Sequence, residues 1–169
     1  ENLTNTGIRM HGIENNEIPL VTFDITLEGG HRLERAEKSG TSVLLADLMM
    51  EGTAFKTPME LEEAIGLLGA SINIYSANEE IRISATCLTK NFDATVSLIS
   101  EILLYPRWEL SEYDRLIQKR MTQLKGNESN PTNIAYRNLT KLLYGPDHIY
   151  ATSANGTLET LEKLTIDDL

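Results

Sequence analysis

Polar and apolar residues alternate cleanly near the start of the chain. In "LVTFDITLE", Val21, Phe23, Ile25 and Leu27 interleave with Thr22, Asp24, Thr26 and Glu28. A period of two places one row of side chains in a core and the other in water, so residues 18–28 read as a strand. Residues 7–13 read as a preceding strand, with Asn15-Asn16 as the turn and Gly29-Gly30 as the stop. Together they predict a half-buried antiparallel hairpin.

The pattern then lengthens to a helical period. A helix is expected over residues 41–50, in which Leu44, Leu45, Leu48 and Met49 form one apolar stripe that should face the sheet. Val43, Ala46, Asp47 and Met50 fall on the other side. Burying Asp47 without a partner would cost several kcal/mol, on the order of 3, so it should be paired or wet. The next helix is punctuated explicitly: Thr57 caps it, Pro58 opens it, Glu60 completes a capping box and Gly69 ends it. Glu60, Glu62 and Glu63 should sit on its solvated face. "SINIYSA" and "EIRISATCL" predict two strands turning at Asn78-Glu79, with Ile81, Ile83, Ala85 and Cys87 inward. Three helices follow. The first runs over residues 92–104, with Phe92, Val96, Ile99, Ile102 and Leu103 buried. The second, capped by Ser111, packs through Leu116, Ile117, Met121 and Leu124. The third opens at Pro131 and closes at Gly145 behind Leu139, Leu142 and Leu143. The order ββααββααα belongs to the α+β class, with helices packed on an antiparallel sheet.

Length and composition fit one ordinary domain over residues 1–169. The chain is 41% hydrophobic and 24% charged. A net charge of −10 argues against a nucleic-acid partner, which would need a basic face. One cysteine, Cys87, excludes a disulfide framework. No apolar run is long enough to span a membrane. The start at Glu1 and the helix-opening pair Thr165 and Asp168 near the end suggest a segment of a longer polypeptide.

Few residues announce chemistry. His11, His31 and His148 lie at no helical ligand spacing, and scattered histidines of this kind are expected at the surface. There is no nucleophile elbow, phosphate loop or dinucleotide fingerprint. Asn2, Asn127, Asn138 and Asn155 begin Asn-x-Ser/Thr triplets that composition alone explains. Arg137 and Tyr144 share one side of the last helix, where surface packing is the default.

The landmarks taken together resemble a known family. "LEGGHRLERAEKSGTSVLLADLMMEGTAFKTPMELEEAIGLLGASINIYSANEEIRISATCL" is similar to the first subdomain of the insulinase/pitrilysin peptidases, which include the mitochondrial processing peptidase. "LISEILLYPRWELSEYDRLIQKRM" and "AYRNLTKLLYGPDHIYA" extend the likeness over nearly the whole chain. In that family a helix before a Gly-Thr carries the inverted zinc motif H-x-x-E-H. Two histidines hold the metal and the glutamate between them takes a proton from its water. Anchored on Gly52-Thr53, the resemblance sets this motif on Val43, Leu44, Leu45, Ala46 and Asp47, and a further glutamate ligand near Gln123. Val43 and Asp47 then stand at the ligand positions, Ala46 at the base and Gln123 at the third ligand.

The resemblance therefore implies a degenerate half that holds no metal and does not hydrolyse peptides alone. Zinc is expected in a partner half, in the same chain or another subunit, with peptide as the shared substrate. A bacterial source, and its periplasm or cytoplasm, is the expected setting. A structural or scaffold subunit without a catalytic partner is the alternative. A relocated metal site using Asp47 with His11, His31 or His148 is a third. Peptides in this family add a strand to a sheet edge, which points to "SINIYSAN" and to Asn73, Tyr75 and Ala77, although an internal strand is the default for that segment.

Overall fold

The computed structural model describes residues 8–14, 17–127 and 129–169. Its elements run β1 (Leu20–Glu28), α1 (Thr41–Met49), α2 (Pro58–Leu67), β2 (Ser71–Ser76), β3 (Glu80–Leu88), α3 (Phe92–Leu104), α4 (Leu110–Asn127), α5 (Pro131–Tyr144) and α6 (Leu158–Lys163). The strands form one antiparallel sheet in the order β1-β3-β2. The register sets Phe23 opposite Ala85 and Ile72 also opposite Ala85, so β3 carries both pairings. The α+β class with helices on an antiparallel sheet is the observed one.

The expected strand over residues 7–13 is not found in residues 8–14, which are exposed and form no ladder. Gly7 and the turn at Asn15-Asn16 lie outside the described residues. The reason is burial: β1 pairs with β3 along all nine of its residues, while Ile8 is 65%, Met10 51% and Ile13 fully exposed, so the segment buries too little apolar surface to hold a further strand. A short helix, α6, stands at the other end instead. Its cap is Thr157, which accepts from the Thr160 backbone N–H while the Thr160 hydroxyl accepts from the Thr157 N–H.

The core is divided by α1. On one side Ala46 joins Leu61, Ile72, Ile74, Ile83, Leu98, Ile99 and Ile102, with Met49 and Met50 packed alongside. On the other side Leu44 and Leu48 join Tyr113, Leu116, Ile117, Leu161 and Leu164 of α4, α6 and the chain just after α6. The expected orientation is thus reversed for Leu44 and Leu48, while Met49 packs on the sheet cluster as expected. The two leucines face α4 and α6, and the smaller Ala46 lets the sheet approach. A helix covered on both sides buries whichever face fits each neighbour, and one stripe does not say which neighbour that is.

Ser111 lies inside α4, which starts at Leu110, and so does not cap it, but the local signals at α2 and in the sheet work as read. The Thr57 hydroxyl accepts from the Glu60 N–H, the Glu60 carboxylate accepts from the Thr57 N–H, and Gly69 ends the helix at φ 57°. Glu60, Glu62 and Glu63 are exposed, and Ile83, Ala85 and Cys87 are buried. In α3 the buried row is Thr95, Leu98, Ile99 and Ile102. Phe92 lies at its edge, against Phe23 with ring centroids 5.4 Å apart.

Helix α5 is turned inside out relative to expectation. Asn130 caps it, accepting from the Thr132 and Asn133 N–H groups, and Pro131 opens it. Its leucines, however, face outward: Leu142 is 85% and Leu143 67% exposed. Thr140 is its buried residue, and Arg137, Lys141 and Tyr144 line a cleft against the segment that follows.

These two leucine environments give a direct comparison. Leu48→Ala, in a side chain with no exposure, should cost about 3 kcal/mol. Leu142→Ala should change stability by less than about 0.5 kcal/mol. Urea unfolding followed by circular dichroism measures both.

Candidate functional site

Helix α1 is short, so its ends are held from outside. Gly40 precedes it at φ 101°, and no side chain of its own caps it. The cap comes from Glu34, whose carboxylate accepts from the Gly40 N–H (3.0 Å), the Ser42 N–H (2.6 Å) and the Ser42 hydroxyl (2.6 Å). A carboxylate at a helix N-terminus satisfies free amides and meets the positive end of the dipole. The Ser76 hydroxyl of β2 donates to the Ser42 hydroxyl at 2.8 Å, joining this network to the sheet.

His31 stands behind Glu34 and is 1% exposed, so it is a core residue and not the surface histidine expected. Its Nδ1 lies 2.7 Å from Glu34 Oε2 and its Nε2 lies 2.9 Å from the Ile149 carbonyl oxygen. A carbonyl only accepts, and the Glu34 carboxylate already accepts three other hydrogen bonds. Both ring nitrogens must therefore donate, which makes His31 an imidazolium. Burial alone would lower its pKa, but the hydrogen bond and charge of Glu34 raise it above the ordinary 6.5. Burial likewise pushes Glu34 up, and the bonds from His31, Ser42 and Gly40 outweigh it and hold Glu34 below its ordinary 4.5.

The motif positions assigned by resemblance occupy the middle of α1. Val43 is half-buried, and Ala46 is 1% exposed against the sheet cluster. Asp47 is paired, as expected, with a cation on α4. Arg120 donates from Nε at 2.7 Å and from Nη2 at 2.6 Å, both to Asp47 Oδ2, and its Nη1 reaches Asn155 Oδ1 at 3.5 Å. Gln123, three residues further along α4, is exposed. These residues do not fit zinc: Val43 and Ala46 carry no donor atom, and Arg120 holds the Asp47 carboxylate. For the relocated site, Arg120 holds Asp47, both His31 nitrogens are spent and His148 Nδ1 accepts from the Tyr150 N–H. Among the described residues no three His, Cys, Asp or Glu side chains are grouped to hold a metal ion.

Past α1 the chain turns at Gly52, with φ 108°, where a Cβ would lie 2.6 Å from the Lys56 carbonyl oxygen. Thr53, fully buried, donates its hydroxyl to Glu101 Oε1 at 2.5 Å, and Lys56 Nζ donates to both Glu101 oxygens at 2.9 and 2.8 Å. The Gly-Thr turn is thereby fixed to α3. Burial raises the Glu101 pKa, but the bonds from Lys56 and Thr53 bring it below its ordinary value.

Among the described residues β2 is an edge strand, not an internal one, with β3 as its single neighbour in the sheet. Asn73 and Tyr75 are exposed on its outer face. Ala77 lies beyond it and is half-buried, with its N–H on the Glu80 carbonyl and its carbonyl accepting from the His31 N–H. An apolar groove of about 560 Å³, lined by Met50, Met59, Leu61, Ile65 and Ile72 among others, lies between α2 and β2.

Residues 10–155 match the family described as Insulinase (Peptidase family M16). The chain belongs to this family. An M16 fold was implied by the landmarks around Gly52-Thr53. The chain is 32% identical over 91 residues to the beta subunit of the mitochondrial-processing peptidase of Caenorhabditis elegans, covering 54% of this chain and 20% of that one. It is 23% identical over 156 residues to a protein of Helicobacter pylori named non-peptidase homolog YmxG, covering 92% and 36%. Its fold matches a crystal structure of a peptidase M16 inactive domain from Pseudomonas fluorescens with a TM-score of 0.86 and 20% identity, over 92% of this chain and 38% of that one. The chain thus spans between a fifth and two fifths of the length of these M16 relatives. No helix among the described residues is long and apolar enough to cross a membrane.

Sequence reading missed Glu34, Arg120 and the segment after α5. One signal was available: a carboxylate in a largely apolar helix demands a cation. It did not say which one, because Arg120 is 73 residues away.

The His31–Glu34 pair predicts a pH profile. Raising the His31 pKa on folding gives stability that is full below its ordinary 6.5 and lost as pH rises through the folded value. Lowering the Glu34 pKa gives stability that is present above its ordinary 4.5 and lost as pH falls through the folded value. Urea unfolding from pH 4 to 9 should show the pair's full effect between 4.5 and 6.5, with an alkaline decline that His31→Gln removes. A double-mutant cycle with Asp47→Asn and Arg120→Gln should give a coupling of about 1 kcal/mol.

Proposed function

We propose that this chain is a non-catalytic part of an M16 peptidase, which shapes a substrate chamber and supports a zinc-bearing half during peptide hydrolysis. That half is supplied by the same polypeptide or by a partner subunit. The observation that carries the reading is the state of α1. The helix and its Gly-Thr turn are present, while at the positions the resemblance assigns to ligands and base Val43 and Ala46 are hydrocarbon, Asp47 is held by Arg120 and Gln123 is an exposed amide.

Two further features support the peptide part of the proposal. β2 offers an open edge to which an extended peptide could add, with Asn73, Tyr75 and Ala77 as the contact residues. The apolar groove beside it, running along Met50 and Ile65, would take alternate side chains of that strand. The names of the Helicobacter and Pseudomonas relatives, a non-peptidase homologue and an inactive domain, agree with a non-catalytic role. The first of these names also favours a second reading, a scaffold subunit with no catalytic partner.

Elemental analysis of the purified protein should find no stoichiometric zinc, and peptide hydrolysis should appear only when an H-x-x-E-H half is present. One tightly bound zinc per chain, or chelator-sensitive hydrolysis by the chain alone, would sink the proposal. Assembly without hydrolysis in the presence of the native partner would decide for the scaffold.

A further inference from the structure

The inward face of α5 borders a cleft of about 800 Å³, closed on its far side by residues 150–158 and by the β2–β3 turn at Asn78 and Glu79. The helix presents polar and aromatic residues here and turns its leucines away, the reverse of an ordinary surface helix. Arg137 and Lys141, one turn apart, both line the cleft, and neither forms an ion pair among the described residues. The acidic residue in the lining is Glu79, which accepts from the Tyr150 hydroxyl at 3.1 Å. The other charge in the wall, His31, is balanced by Glu34.

One end of the cleft is a packed aromatic corner. Tyr144 and Tyr150 meet edge to face at 5.5 Å, His148 stacks on Tyr144 at 5.3 Å, and His31 lies 6.3 Å behind Tyr150. Tyr136, 65% exposed, stands toward the helix start. Asn127 and Asn133 add side chains that both donate and accept, as peptide groups require. We propose that this cleft binds a short acidic segment of a peptide, with Arg137 and Lys141 holding its carboxylates and the tyrosines covering its side chains.

The volume lies in the range that encloses a multi-group ligand and is far larger than a lone carboxylate needs. The whole chain carries −10, which repels a long polyanion such as nucleic acid. Salt screens that field beyond about 10 Å, so a segment with two or three carboxylates responds mainly to the two local cations. The inference rests on the functional reading above in taking a peptide as the ligand. The cationic cleft adds a preference for acidic sequence that the open β2 edge would not supply.

Fluorescence anisotropy of a dye-labelled ten-residue peptide rich in Glu, against its Gln and Lys counterparts, tests the proposal on the full chain. The acidic peptide should bind about tenfold more tightly than the Gln form, and more weakly as salt is added. Arg137→Gln and Lys141→Gln should each weaken it by about fivefold, and Glu79→Gln should tighten it. Equal binding of all three peptides, no binding at millimolar protein, or an unchanged affinity in the Arg137→Gln/Lys141→Gln double variant would overturn the inference. Competition by free glutamate as effective as by peptide would overturn its peptide form. Binding is read without any zinc-bearing half, so a failure here counts against the cleft alone. Bound zinc or independent hydrolysis would instead defeat the functional reading and leave the charge preference standing.

Discussion

The carboxylate of Glu34 is the contact on which the arrangement depends. Helix α1 has nine residues, too few to be stable by its own hydrogen bonds, and it sits where two cores meet. Glu34 fixes its first amides and binds the imidazolium of His31, which in turn holds the Ile149 carbonyl 118 residues away. One buried ion pair therefore sets the start of the helix and the path of the segment that lines the α5 cleft. Its energetic worth comes from completeness: the desolvation of both charges is offset because their hydrogen-bonding groups are occupied.

With the start of α1 fixed, the rest of its geometry follows from size. Ala46 is small enough for the sheet to close over it, and Leu44 and Leu48 fill the space against α4 and α6. Asp47 is left at the seam between the two cores, where Arg120 reaches it from α4. The position that the resemblance would assign to a metal ligand forms an interhelical ion pair here. The Asp47–Arg120 pair ties α1 to α4 across this seam.

Much of this was legible along the chain, and the misses share a cause. The capping box at Thr57 and Glu60, the β2–β3 turn and the Gly-Thr landmark are local, depending on residues within three or four positions of one another. The resemblance those landmarks carry gave the M16 family and the helix in which to look for its chemistry. What went astray was partner choice. Residues 7–13 read as a strand that found no neighbour among the described residues, and the leucines of α5 marked a core face that points outward. Amphipathicity tells which residues share a side, and both sides of a helix can face protein.

By itself, then, the sequence determined the α+β class, the capping of α2 and the opening of α5, and the family, because each is a property of residue type at short spacing. Only the tertiary structure decided that Asp47 meets Arg120, that His31 is a buried cation, that β2 lies at an edge, and that Arg137, Lys141 and Tyr144 open on one cleft. These are contacts between residues far apart in the chain, or between faces whose partner the pattern does not name. Their outcome is set by which surfaces fit together once the loops have closed.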